Sequence, residues 1–232
     1  MVKTMDLQKL EKEINLLLSE YDKEKKGAIL YEIENIFELY LKENPRDSEV
    51  WLQFSLFELD FFQDDYKAQD LLLEVLAYEP NNAYAVLLLA YLAFTISNRY
   101  EEESLKLLDQ LQTNDKEILS MIEYAKALYY LKIDYKKYPE YLKKSIEYDN
   151  NFVWNNFYLG LIYLERNKKD EAKELIKKAY DNVQLIYIFL TKNKSRITPI
   201  KEFLNERLKG TFITRTNLAS IKSELKDLNI KF

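Results

Sequence analysis

Acid–base, nucleophilic or metal chemistry in this 232-residue chain falls to carboxylates, lysines, tyrosines and hydroxyls, because it has neither histidine nor cysteine. Histidine is the commonest general base and transition-metal ligand, and thiolates supply structural zinc sites and many nucleophiles. What remains is sparse. Asp60, Asp64 and Asp65 gather carboxylates that magnesium or calcium could use, but a polar turn accounts for them without a metal. No glycine-rich phosphate loop and no Gly-x-Ser-x-Gly occurs. The expectation is a non-enzyme with no catalytic, cofactor-binding or metal-binding residue.

Recognition chemistry is better represented. Trp154 and Phe157 have the character of aromatic anchors for a partner, with packing between neighbouring helices as the competing role. Trp51 reads as core. Glu101, Glu102 and Glu103 could meet a basic peptide, or could complement the positive end of a helix. A basic tail carries Lys192, Lys194, Arg196, Lys201, Arg207, Lys209 and Arg215 against Glu202 and Glu206. Phosphate contacts could use it, but no nucleic-acid motif accompanies it and the whole chain is acidic at −5. Nucleic acid is therefore disfavoured, and an acidic protein surface is preferred. Charge is unevenly placed: residues 1–150 carry −12 and residues 151–232 carry +7. Self-association of an acidic front with a basic tail fits that asymmetry.

The elements that position these residues are marked by a recurring turn. Pro45, Pro80, Asp115 and Asn150 each sit in a polar turn, 35 residues apart. Between turns, apolar residues recur at helical spacing, and glycine (3) and proline (4) are too scarce for a turn-rich sheet fold. The first helix is expected over about 5–21, with Leu7, Leu10, Ile14, Leu17 and Leu18 on one face. A second follows Gly27 and stops at Pro45. Helix pairs then fill 47–80, 81–113, 114–149 and 151–181. Asn114 with Glu117 reads as a capping box, and Pro139 opens a helix. Gly160 in mid-helix costs about 1 kcal/mol relative to alanine, so a close helix approach is expected there, with Ala172 and Ala179 facing it. After Asp181 the period breaks, and residues 182–232 are expected to cap the array with further helices. The charge-free stretch Pro80–Asn98 is too short in its apolar part to span a bilayer. The charged opening Met1–Asp6 does not read as a secretory leader, and a cytoplasmic setting is expected.

On these residues the chain resembles the tetratricopeptide repeat family, whose unit is about 34 residues. The fifth unit carries Leu159, Gly160, Tyr163, Ala172, Ile176 and Ala179 at the family's positions. The second carries Tyr66, Ala68, Leu72, Val75 and Pro80, and the third Leu89, Ala90, Leu108 and Leu111. The closing proline is missing from units three to five, the turns of units two and three are longer by a residue or two, and the fourth unit keeps little besides the period. The resemblance covers about residues 28–181. It implies an all-α, right-handed superhelical solenoid of antiparallel helix pairs over 1–181, whose first helices line a concave groove. Groove positions carried over are Tyr84, Leu87 and Tyr91 in the third unit, and Trp154, Phe157 and Leu161 in the fifth. The implied function is a protein–protein adaptor or scaffold that holds a partner peptide or helix. A structural subunit of a larger assembly, or an occluding regulator of a toxin or enzyme, are the alternatives.

Overall fold

Aspartates in the turns set where several helices begin. In the computed structural model, which describes residues 6–193 together with Ser223, Lys226 and Asp227, Asp6, Asp47, Asp64 and Asp115 each accept a hydrogen bond from a first-turn backbone N–H. Such a carboxylate satisfies a donor that the helix cannot, and it complements the helix dipole. These four residues start α1 (Leu7–Glu24), α3 (Ser48–Phe57), α4 (Asp65–Tyr78) and α7 (Lys116–Ile133). The others are α2 (Gly27–Glu43), α5 (Ala83–Leu92), α6 (Glu101–Gln110), α8 (Tyr138–Tyr148), α9 (Val153–Glu165) and α10 (Lys169–Asn193). No strand occurs among the described residues. The cap expected at Asn114 belongs to its neighbour: Asp115 Oδ1 accepts from the N–H groups of Glu117 and Ile118 at 2.8 and 3.3 Å. Pro139 lies in the first turn of α8, as expected.

The longer turns of units two and three have a structural cause. α3 runs on into a π-helical turn, Glu58–Phe62, and α5 into another, Ala93–Ser97, 35 residues later. A π-turn absorbs one residue more than an α-turn without breaking the helix. Each ends on a left-handed residue, Gln63 (φ 56°) and Asn98 (φ 54°), which closes the helix and reverses the chain.

The chain divides into two compact units within α5, at Ala85/Val86. In the first, α1 packs on α2, α2 on α3, and α3 on α4. Leu10, Ile14 and Leu18 of α1 are buried against Ile33, Phe37 and Leu41 of α2 and Phe54 and Phe57 of α3. Phe37 and Phe54 stack at 4.9 Å. Trp51 is half-buried against this core, and its indole N–H donates to the Pro45 carbonyl at 2.9 Å. A charged cluster crosses the same layer. Lys67 on α4 pairs with Glu34 and, at 3.7 Å, with Glu38 of α2. It also lies 3.1 Å from Glu58 Oε1 at the start of the π-turn and 4.8 Å above the Phe54 ring. Glu58 is 1% exposed. No donor aligns with its Oε1 as a hydrogen bond, so the Lys67 contact there is chiefly electrostatic. Burial pushes the Glu58 carboxyl up, against the opposing pull of Lys67. Burial would lower Lys67, but its hydrogen bond to Glu34 and its attraction to Glu34 and Glu58 prevail and hold it above the ordinary lysine value.

In the second unit, α6 packs on α7, α7 on α8, and α8 on α9. Ser120 of α7 and Ser145 of α8 exchange hydrogen bonds with each other's carbonyls, and Asn155 of α9 donates to Ser145 Oγ at 2.9 Å. Buried polar groups so satisfied fix the register of three helices. Gly160 lies where α9 meets α10: a Cβ there would sit 2.6 Å from Ile176 Cγ1 and 3.3 Å from the Ala172 carbonyl. Ala172 and Ala179 are fully buried, so the close approach expected from Gly160 is present. Gly160→Ala is expected to lower stability. Its helix-propensity gain of about 1 kcal/mol is outweighed by an overpacking cost of about 1–3 kcal/mol. Urea unfolding of Gly160→Ala, Ile176→Ala and the double variant checks this: the double should lose less than the two single changes together, and a stabilised Gly160→Ala would contradict the contact.

α10 is continuous across the expected boundary at Asp181 and Asn182, reaching Asn193. The further helices expected over 194–232 lie outside the described residues, apart from helical Ser223, Lys226 and Asp227.

Candidate interaction groove

Three helices of the second unit leave an open groove of about 360 Å³. The sequence places its residues by helical spacing, since positions three and four apart share a face. α8 contributes Lys143, Ile146 and Glu147, α9 Leu159 and Tyr163, and α10 Glu171, Glu174 and Leu175. The floor is apolar: Leu159 is buried, and Ile146, Tyr163 and Leu175 are half-buried. The rim is charged and exposed, with Glu147, Glu171 and Glu174 against Lys143, and Lys168 lies 3.6 Å from Glu171. The turn from α9 to α10 is held by left-handed Asn167 (φ 58°) and by Lys168, whose ammonium sits 5.4 Å from the Tyr163 ring centroid. Such a surface can take apolar side chains between carboxylates. It presents no acid–base pair aimed at a common point.

The groove positions implied by the repeat resemblance are placed differently. All residues from Ala85 to Phe94 are buried, including Leu87 (0% exposed) and Tyr91 (6%); Tyr84 is half-buried. Trp154 (0%) and Phe157 (3%) are buried and meet edge to face at 6.0 Å, while Leu161 is half-buried. Tyr158 joins Trp154 at 5.9 Å, and Tyr124 stands edge-on to Phe152 at 5.1 Å. Tyr124 also feels Tyr158, Tyr138 and Tyr91, and burial holds its hydroxyl well above the ordinary tyrosine value. Tyr91, Trp154 and Phe157 thus belong to an aromatic core. The physical reason is that α5 and α9 are apolar around most of their circumference, so both faces bury.

Of the basic tail, only the backbone of Lys192 is placed, within α10. Lys194, Arg196, Lys201, Arg207, Lys209 and Arg215 lie outside the described residues. Glu101, Glu102 and Glu103 occupy the first turn of α6, which has no side-chain cap, and Glu101 pairs with Lys132 at 2.7 Å. Asp64 is the cap of α4. The groove carboxylates Glu147, Glu171 and Glu174 were not singled out by sequence. Their only signal was spacing of three to four from an apolar neighbour, which most exposed helices share.

No protein-family profile matches the chain, and no curated protein matches it in sequence. Solved structures do match in fold. PilW, described as a widely conserved type IV pilus biogenesis factor, is 16% identical with a TM-score of 0.56, over 94% of this chain and 93% of its own. MamA residues 41 to the end from Desulfovibrio magneticus RS-1 is 16% identical with a TM-score of 0.54, over 78% of this chain and 98% of its own. Another MamA crystal structure is 19% identical with a TM-score of 0.53, over 78% and 96%. At this identity the likeness establishes the fold: an all-α, tetratricopeptide-like array of helix pairs. Among the described residues, no helix is long and apolar enough to cross a membrane.

Proposed function

We propose that the chain is a non-catalytic protein-interaction scaffold of the cytoplasm that holds a partner's amphipathic segment in the groove of α8, α9 and α10. The observation that carries this is the apolar floor of Ile146, Leu159, Tyr163 and Leu175 beneath a rim of three glutamates and one lysine. Apolar burial supplies the attraction, and the acidic rim selects segments with lysine or arginine beside their apolar face. Because the groove is built on packed helices, little ordering entropy is lost there on binding.

Two designed helical peptides with the same leucine face test this, one with lysine and one with glutamate on its polar face. Fluorescence anisotropy is expected to show binding of the lysine peptide alone, weakening with salt. Glu171→Lys/Glu174→Lys should weaken it by about tenfold or more. Equal binding of the two peptides, or none of either, would remove the assignment.

A further inference from the structure

The end of α7 and the turn that follows it expose three large apolar side chains in a short stretch: Leu131 (43%), Ile133 (60%) and Tyr135 (48%). Scattered apolar exposure is ordinary, but a cluster at one corner marks a contact surface. Lys132, Lys136 and Lys137 interleave with these residues against one acid, Asp134. The corner is closed by its own hydrogen bonds. The Asp134 N–H bonds the Tyr130 carbonyl at 2.9 Å, the Lys137 N–H bonds the Asp134 carbonyl at 2.9 Å, and Asp134 Oδ1 accepts from the Lys136 N–H at 3.2 Å. Tyr135 is steadied by its hydroxyl, which donates to Glu165 at 3.2 Å. Lys132 is held by Asn98 and Glu101, whereas Lys136 and Lys137 are exposed.

This corner has the chemistry that the groove calls for: apolar side chains flanked by cations, on a preorganised turn. We propose that the groove of one copy receives the α7–α8 corner of a second copy, with Ile133 entering the apolar floor and Lys136 and Lys137 meeting Glu171 and Glu174. The proposal rests on the groove being a binding surface and names its occupant. Because the two patches differ, the contact is head-to-tail, so copies add in series as a ring or an open chain. Charge complementarity carries the choice: besides the Lys132–Glu101 pair the corner offers Lys136 and Lys137 against Asp134, and besides the Lys168–Glu171 pair at 3.6 Å the groove rim offers Glu147 and Glu174 against Lys143. The exposed apolar corner and the half-buried groove floor cover each other.

Sedimentation velocity of the full chain over a concentration series tests this. The wild type is expected to grow beyond a pair as concentration rises, and to dissociate as salt rises. The corner variant Ile133→Glu and the groove variant Glu171→Lys/Glu174→Lys alter exposed positions only, and circular dichroism checks that both fold. Each is expected to raise the self-association constant for dissociation at least tenfold. Mixed together they should form a pair and stop there, because each retains the patch that the other has lost. A second pairing, Lys136→Glu/Lys137→Glu with Glu171→Lys/Glu174→Lys, should also associate through the exchanged charges. Wild type that stays monomeric throughout would overturn the proposal while leaving the lysine-peptide result to stand or fall on its own. Association unchanged by either variant would also overturn it, and would direct attention to the basic residues 192–215.

Discussion

Lys67→Met should unfold about 3–5 kcal/mol more easily than the wild type near neutral pH. Glu58 is 1% exposed, and Lys67 is the cation that faces it, at 3.1 Å. Without Lys67, the carboxylate of Glu58 must either stay charged in a buried site or take up a proton, and Glu34 loses its pair as well. The sign with pH follows from the raised Glu58 value. The folded protein holds that proton more tightly than the unfolded chain, so the associated stability is full below the ordinary carboxylate value and is lost as pH rises through the raised one. In Lys67→Met the lysine no longer offsets burial, and the deficit should shrink as pH falls. Glu58→Gln removes the buried charge instead, so Lys67→Met/Glu58→Gln should be more stable than Lys67→Met alone. Urea unfolding of the four proteins at about pH 8 and about pH 5 measures this. A Lys67→Met deficit that is small, or independent of pH, would show that the cluster does not support α2, α3 and α4 in the manner described.

Trp154→Ala is the second large effect, a loss of about 3–5 kcal/mol. The ring is fully buried, edge-on to Phe157 at 6.0 Å and tilted against Tyr158 at 5.9 Å. Its removal leaves a cavity that three helices of an aromatic core cannot easily close. Trp154→Phe keeps an aromatic ring and removes the indole N–H, which has no acceptor among the described residues. No hydrogen bond is lost in that exchange and most of the ring volume is kept, so its cost should be well below that of Trp154→Ala. Chemical denaturation of the pair checks the difference, and equal losses would contradict it. Because Trp154 is buried, any loss of partner capture in Trp154→Ala has to be compared with the folded fraction before it is assigned to binding.

Local chemistry made much of the array legible. The 35-residue return of turn residues and Pro139 in the first turn of α8 act over a few residues, and the cap of α7 was read one residue early, at Asn114 instead of Asp115. Such signals survive in sequence because backbone donors and fixed φ angles need only near neighbours. Gly160 was legible for a related reason: a mid-helix glycine is unfavourable unless another helix needs the space, and Ile176 takes it. The two π-turns appeared in sequence only as excess length, since one extra residue can enter a turn or a helix equally well.

What the sequence determined by itself was the class of element and its repeat, because helix starts, stops and amphipathic period are set within about ten residues of chain. Which aromatics face inward was decided by tertiary structure: α5 and the start of its π-turn bury every residue from Ala85 to Phe94, and a helix that is apolar all round gives no sign of which side meets water. The Glu34–Glu58–Lys67 cluster and the acidic groove were likewise decided there. Each draws single residues from three helices, and only packing brings their side chains within reach.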